Sequence, residues 1–428
     1  MTNWEHNDHL IWHPYSSLMP VFPNLAVASA QGAHIHLKDG RTLIDGVSSW
    51  WVNLHGHSHP VLAQALYKQA LELEHVIFAG FTHQPATDLA AQLMDYTACN
   101  FTKLFYSDNG STAIEVALKM ALQYWMNNDQ PRHKIVALQG AFHGDTFGAM
   151  SVSGRSVFNK MFDSLMWEVD FIPFPSEEQE EDCLIQFEIL LAQKPAALIV
   201  EPLLQGTAGM RVYRPEFLDR LFALAKKEGV ICIADEVLTG FGRTGKPFAS
   251  HYLQEKPDIM CLSKGLTGGT MPFGVTLANQ KIVAAFDVPD LDKILYHGHS
   301  YTANPLACAV SLASLALLKD ASCIERISAL SLLQKAFAQQ LKARFQLERV
   351  DQIGTMVSLE LSVEPGYLST IRNELYAFFL SHDVLLRPLG NVLYILPPYC
   401  IEIKDLERIH ELIFKLLETK GFSLKPID

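Results

Sequence analysis

Apolar and polar positions along this chain follow two rhythms. In the middle of the sequence, short unbroken apolar runs alternate with stretches whose apolar residues recur every three or four positions. Ala196–Val200 (AALIV) is a run of buried-strand type. Pro215 then opens PEFLDRLFALAKKE, in which Phe217, Leu218, Leu221, Phe222 and Leu224 return at helical spacing. Gly229 closes that helix, and Val230–Ala234 (VICIA) is again a strand. Ile259–Leu262 (IMCL) and Lys103–Tyr106 (KLFY) read as further strands. Continuous apolar strands separated by amphipathic helices predict an α/β fold with a mostly parallel sheet covered on both faces by helices.

Past residue 310 the pattern changes. One helical stretch runs through ANPLACAVSLASLALL and a second through the 320s to 340s. Short strands follow at Met356–Leu361, Val384–Arg387 and Val392–Leu396, with helices between and after them. A smaller α+β domain is expected here. The predicted division is a large domain over residues 61–315 and a small one built from residues 1–60 with 316–428.

Composition narrows the class. Hydrophobic residues make up 49% and charged residues 19% of the 428 positions, ordinary values for a chain with a large core. The formal net charge of −12 argues against a nucleic-acid binder, which needs a basic face. No apolar stretch approaches the roughly 18–20 residues of a membrane helix. MTNWEHNDHLIWHPYSS shows no secretory or transit pattern, and the seven cysteines are scattered without a CxxC pair. A cytoplasmic location with reduced thiols is therefore expected. Repeats of roughly 20–50 residues are absent. The acidic run Glu177–Asp182 is a solvated loop or helix start. His55, His57 and His59 alternate in HGHSHP, but no cysteine or carboxylate cluster accompanies them, so loop or core roles are expected rather than metal ligation.

The candidate chemistry lies at predicted strand ends, where open sheets of this kind bind ligands. Glu201 follows AALIV, Asp235 follows VICIA, and Lys264 follows IMCLS. Alone, each carboxylate is usually a cap and the lysine usually exposed. On neighbouring strand ends they place acid and amine in one site. Pyridoxal phosphate requires such a pair: an amine to bond its aldehyde and act as base, and a carboxylate to keep its ring nitrogen protonated. Ser107–Thr112 (SDNGST) precedes the helical run AIEVALKMALQYW, with Thr112 and Glu115 forming a possible capping box. Gly110 and Ser111 would then face an anion from a helix N-terminus.

These residues carry a resemblance. IADEVLTGFGRTGK (233–246) and LSKGLTGG (262–269) resemble the signature of class III pyridoxal-phosphate aminotransferases. SDNGSTAIEVALKMA, FHGDTFGAMSVSG, EPLLQG and HGHSYTANPLACA resemble other blocks of that family across nearly the whole chain. WHPYSS, GVSSWWVNLHGHSHP and LRPLGNVLYILPPY are similar to the branch that moves an amino group from S-adenosylmethionine to 8-amino-7-oxononanoate in biotin biosynthesis.

The resemblance implies fold type I, a homodimer with active sites at the subunit interface, and a ping-pong reaction. Lys264 and Asp235 would be catalytic, with Glu201, Gly110, Ser111 and Phe142 around the cofactor. Tyr15, Trp50 and Trp51 would line the substrate pocket, Arg387 would clamp the acceptor's carboxylate, and Asp145 and Arg243 would shape the same pocket. Gly298, His299 and Ser300 stand where the family usually has Gly-Pro-Thr, with Ser300 reaching the partner's phosphate. Phe142 replaces the family's usual tyrosine. Both departures bear on the donor, since a His-Ser pair is also common among relatives using other donors, lysine among them. Another ω-aminotransferase, an aminomutase and a pyridoxal-phosphate binder without turnover are the remaining readings.

Overall fold

The computed structural model describes residues 7–363 and 369–421. Near the N-terminus β1 (Val27–Gln31), β2 (His34–Leu37) and β3 (Thr42–Asp45) form an antiparallel meander. The central layer draws on β4 (Phe101–Ser107), β5 (Ile135–Leu138), β6 (Asp170–Ile172) and β7 (Ala197–Val200). A small hairpin, β8 (Leu204–Gln205) with β9 (Arg211–Val212), precedes β10 (Ile231–Asp235), β11 (Ile259–Leu262) and β12 (Gly274–Asn279). Four shorter strands complete the chain: β13 (Arg349–Ile353), β14 (Met356–Glu360), β15 (Val384–Leu385) and β16 (Val392–Ile395).

Seven strands form the main sheet in the order β4-β12-β11-β10-β7-β5-β6. Only β12 runs against its neighbours; every other strand shares one direction. Every residue of β5, β7, β10 and β11 is buried. The unbroken apolar runs conceal a period of two. Ile231 and Ile233 face a core shared with the helix Gly110–Asn127, while Cys232 faces another containing Phe217, Leu218, Leu221 and Phe222. Those four belong to the helix Pro215–Lys227, begun by Pro215 and ended before Gly229, which sits at φ +77°. Each such side chain, fully removed from water, contributes about 1.5–3 kcal/mol of transfer free energy.

The acidic run Glu177–Asp182 starts a helix, Glu180–Leu191, with three carboxylates in its first turn. Negative charge there suits the positive helix end, and Glu180 and Glu181 pair with Arg214 and Arg220. The helices Pro305–Lys319 and Ala321–Arg344 meet at a 67° bend at Asp320, whose carboxylate accepts from the Ser322 N–H at 2.9 Å. Among the described residues no single helix is long and apolar enough to cross a membrane.

β13, β14 and β16 pair antiparallel. β15 joins β3 in parallel, Leu385 opposite Asp45, and so ties the C-terminal part to the N-terminal meander. The strand expected over Val384–Arg387 stops at Leu385. Pro388 has no N–H to continue a ladder and restricts the residue before it. Arg387 therefore leaves the sheet on an irregular segment.

Candidate active site

The carboxyl ends of β4, β10 and β11 open into a cleft of about 430 Å³ lined by Gly110, Ser111, Phe142, Asp235, Lys264 and Trp51, among others. Lys264 begins a short 3-10 turn, Lys264–Thr267, at φ +39°. That left-handed conformation is costly for a residue with a Cβ and is tolerated where neighbours hold it. Ser263 supplies one anchor, donating from Oγ to the Phe273 carbonyl at 2.6 Å. The Lys264 Nζ lies 4.8 Å from the centroid of the Trp51 ring. Burial pushes its ammonium below the ordinary range, while Asp235 and Glu201 act in the opposite direction. An amine in this setting loses its proton more readily than one in water.

Asp235 ends β10. Its Oδ1 accepts from the Val237 N–H at 3.1 Å, and its Oδ2 lies 2.7 Å from His143 Nδ1. A carboxylate only accepts, so His143 Nδ1 carries the hydrogen. His143 Nε2 is then a buried atom without a partner among the described residues. His143 was not among the site residues expected from sequence. The FHGD block that contains it was legible, but only the fold brings residue 143 to Asp235. Glu201 is also buried: Oε2 accepts from the Phe142 N–H at 2.9 Å and Oε1 from the Gly206 N–H at 3.0 Å. Burial, reinforced by Asp235, pushes its carboxyl up to about 7 against the opposing effect of His143 and the two N–H groups.

At the other end of the cleft Gly110 begins an 18-residue helix. The expected capping box is displaced by three residues. Asn109, not Thr112, is the cap; its Oδ1 accepts from the Thr112 N–H at 3.0 Å, and Thr112 Oγ1 accepts from the Asn109 N–H at 3.1 Å. Glu115 instead holds the start of the short helix Phe147–Ser151, accepting from Gly148 N–H at 2.8 Å and Ala149 N–H at 3.1 Å. The first-turn N–H groups of Gly110 and Ser111 have no intrahelical acceptor, which suits a phosphate. Gly144, at φ +131°, presses on Ser111: a Cβ there would come within 1.7 Å of Ser111 Oγ.

The outer wall is aromatic. Tyr15 lies 5.5 Å from Trp50 and 5.6 Å from Phe158, centroid to centroid, and Phe158 lies 6.2 Å from Phe142. Phe158 is a second residue the sequence did not single out. The Tyr15 hydroxyl donates to Asp145 Oδ2, while the Asp145 N–H donates to Ser111 Oγ at 2.8 Å. The guanidinium of Arg387 lies 4.6 Å from the Trp50 ring centroid and has no carboxylate partner among the described residues. Trp50 and Trp51 stand on a turn, Ser48–Trp51, whose four residues all have positive φ, from 49° to 90°. A left-handed turn costs roughly 1–2 kcal/mol for each L-residue, so other contacts must hold it.

Two expected groups stand apart from the cleft. Arg243 is buried behind its wall, donating to the carbonyls of Pro397 and Trp51 at 2.9 and 3.1 Å. Gly298, His299 and Ser300 do not line the cleft of their own chain; Gly298 and Ser300 are exposed. His299 Nδ1 accepts from the Tyr301 N–H at 3.2 Å, and its Nε2 is buried without a partner among the described residues.

Pyridoxal phosphate fits this donor set. The cleft offers an amine whose charge burial disfavours, a buried carboxylate on the adjacent strand end, and a capped helix N-terminus where a Cβ at Gly144 would collide with Ser111 and one at Gly110 would crowd Val237. Residues 18–417 match the family described as aminotransferase class-III, and the chain belongs to that family. Within it, the chain is 47% identical over 418 residues to the adenosylmethionine-8-amino-7-oxononanoate aminotransferase of Synechococcus elongatus, covering 95% of this chain and 98% of the relative. The enzyme of the same name from Corynebacterium glutamicum is 38% identical, over 91% of this chain and 92% of that one. Among solved structures, the adenosylmethionine-8-amino-7-oxononanoate aminotransferase of Methanocaldococcus jannaschii superposes with a TM-score of 0.92 at 33% identity, covering 97% and 99% of the two chains. An amine transaminase from an uncultivated Pseudomonas species, in its PLP-bound form, gives a TM-score of 0.90 at 28% identity, covering 96% and 98%.

Proposed function

We propose that this chain transfers an amino group from S-adenosylmethionine to 8-amino-7-oxononanoate, giving 7,8-diaminononanoate for biotin synthesis, with pyridoxal phosphate as cofactor. The observation that carries the acceptor is Arg387: a guanidinium without a carboxylate partner among the described residues, laid on Trp50 beside Tyr15. A planar fork on an aromatic floor suits a carboxylate at the end of a long apolar chain.

Bound pyridoxal phosphate supplies an electron sink for the carbon that loses its proton. Lys264 Nζ takes that proton and delivers it in the reverse sense during the second half-reaction. Asp235 keeps a proton on the ring nitrogen, and His143 fixes its carboxylate. Gly110 and Ser111 would hold the phosphate, Glu201 holds the Phe142 backbone in place, Trp51 lines the cleft, and Tyr15 with Trp50 would wall its outer side against the substrate.

Arg387→Ala is expected to weaken the oxononanoate half-reaction by about 2–5 kcal/mol, as removal of one partner of a charged hydrogen-bonded pair does. The donor half-reaction should change far less. Half-reaction kinetics followed through the cofactor absorbance check this, and equal damage to both halves would assign Arg387 to the fold instead.

Phe142 favours a second reading of the donor. Its ring preserves the wall but offers no hydroxyl, so recognition of S-adenosylmethionine should be weaker here than in a Phe142→Tyr variant. One restored hydrogen bond, about 0.5–1.5 kcal/mol net, should lower the apparent Kd by up to about tenfold. If lysine aminates the bound cofactor and S-adenosylmethionine leaves it unchanged, lysine is the donor.

We also place the active sites at the interface of a homodimer. The exposure of Gly298 and Ser300, with Tyr296 and Tyr301 exposed beside them, supports this. The β3–β15 pair supports a small domain combining residues 1–60 with 316–428, and seven unpaired cysteines support a cytoplasmic location.

A further inference from the structure

The left-handed turn Ser48–Trp51 is closed by its own backbone: the Trp51 N–H donates to the Val47 carbonyl at 2.9 Å and the Val52 N–H to the Ser48 carbonyl at 3.0 Å. Its two buried ends are clamped by opposite charges. At the front stands Asp45, wholly buried. Its Oδ1 accepts from the N–H groups of Val47 and Ser49, both at 3.1 Å. Its Oδ2 accepts from Ser49 Oγ at 3.0 Å and lies 2.9 Å from His57 Nε2. All four acceptor positions of the carboxylate are thus engaged.

At the rear, the Trp51 carbonyl accepts from Arg243. An anion at the N–H end and a cation at the C=O end match the dipole of the peptide groups between them. His57 completes the clamp. Because Asp45 can only accept, Nε2 must carry the hydrogen, which leaves Nδ1 to accept from Asn53 Nδ2 at 2.8 Å. One neutral tautomer satisfies both contacts. The middle histidine of HGHSHP thereby has a structural use that its sequence pattern did not disclose.

Asp45 also fixes the other half of the acceptor site. Its backbone sits opposite Leu385 in the β3–β15 pair, two residues before Arg387. The side chain of one residue therefore holds the turn that carries Trp50, through Val47 and Ser49, while its main chain registers the segment carrying the guanidinium that lies over Trp50. We propose that Asp45, oriented by His57, is a positioning residue that sets Trp50 beneath Arg387 and Trp51 against Lys264. The choice of 8-amino-7-oxononanoate as probe rests on the reading given above.

The test uses the cofactor-loaded enzyme with Asp45→Asn, His57→Ala and His57→Gln. An asparagine at 45 keeps one acceptor oxygen but loses the bonds from Ser49 Oγ and His57. The KM for 8-amino-7-oxononanoate should rise about 10–100-fold in Asp45→Asn, the scale of lost charged hydrogen bonds. It should rise several-fold in His57→Ala and return toward wild type in His57→Gln, whose amide can still donate to the carboxylate. kcat should change less than KM, cofactor occupancy should stay at the wild-type level, and the near-ultraviolet circular dichroism of the indoles should change in step with KM. Unchanged KM and unchanged indole dichroism in both Asp45→Asn and His57→Ala would overturn the proposal, as would a loss confined to cofactor occupancy. If Asp45→Asn does not fold, the two His57 variants decide the matter. Failure of the wild-type enzyme to aminate the oxononanoate would refute the acceptor, and the dichroism would still decide the role of Asp45.

Discussion

Lys264→Ala is expected to abolish transamination, lowering both half-reactions by about 10⁴-fold or more, since one amine serves as both covalent anchor and proton carrier. The fold should survive. The ammonium faces the Trp51 ring but has no hydrogen-bond partner among the described residues, and burial already disfavours its charge against the pull of Asp235 and Glu201, so its removal relieves a desolvation cost. Borohydride treatment of the wild-type holoenzyme followed by peptide mapping should place the cofactor on Lys264, and the variant should show no such label. Label on a different lysine, or a variant retaining turnover, would reassign the amine.

Asp235→Asn should come next in severity. The amide keeps one oxygen, which can still accept from Val237 N–H, while its NH2 faces His143, whose ring can accept there once its hydrogen moves to Nε2, so the end of β10 keeps its backbone anchor. What is lost is the negative charge that holds a proton on the cofactor's ring nitrogen. Removal of one preorganised electrostatic partner in a buried site typically costs about 10²–10³ in kcat, and a decline of that size is expected in both half-reactions. Single-turnover kinetics at saturating cofactor separate this from weakened cofactor binding. A variant near the wild-type rate would take Asp235 out of the catalytic machinery.

The main sheet was readable because its strands are buried on both faces. Ile231–Asp235 and Ile259–Leu262 announce themselves as apolar runs, and the residue type that follows each is unusual enough to mark a site. β12 was harder: its glycine, threonine and asparagine interrupt GVTLAN, and its reversed direction follows from pairing with β4, remote in sequence. The meander β1–β3 escapes the sequence because its strands are short: β1 is mostly exposed, and β2 and β3 carry just two buried apolar residues each, Ile35 with Leu37 and Leu43 with Ile44. In the site, Lys264 and Asp235 follow strands directly and were legible, whereas His143, Phe158 and Asp45 act through partners that only folding brings near. The cap at Asn109 shows the same limit on a small scale: SDNGST offers several capping residues, and which one caps depends on where β4 releases the chain.

The reversed strand has one further effect, on how the molecule is assembled. Gly274 of β12 pairs with Ser107, and Cys261 of β11 with Thr276 of β12, so β4, which leads into the proposed phosphate cradle, joins the sheet beside β11 by pairing with β12. No neighbour in the order of synthesis can substitute for it, and β4 is left waiting at the edge of the sheet until more than a hundred further residues have been made. Contacts between segments so far apart close slowly, because the intervening chain must first be confined. Cofactor binding is therefore expected to come late in folding, after β12 has joined β4 to the rest of the sheet.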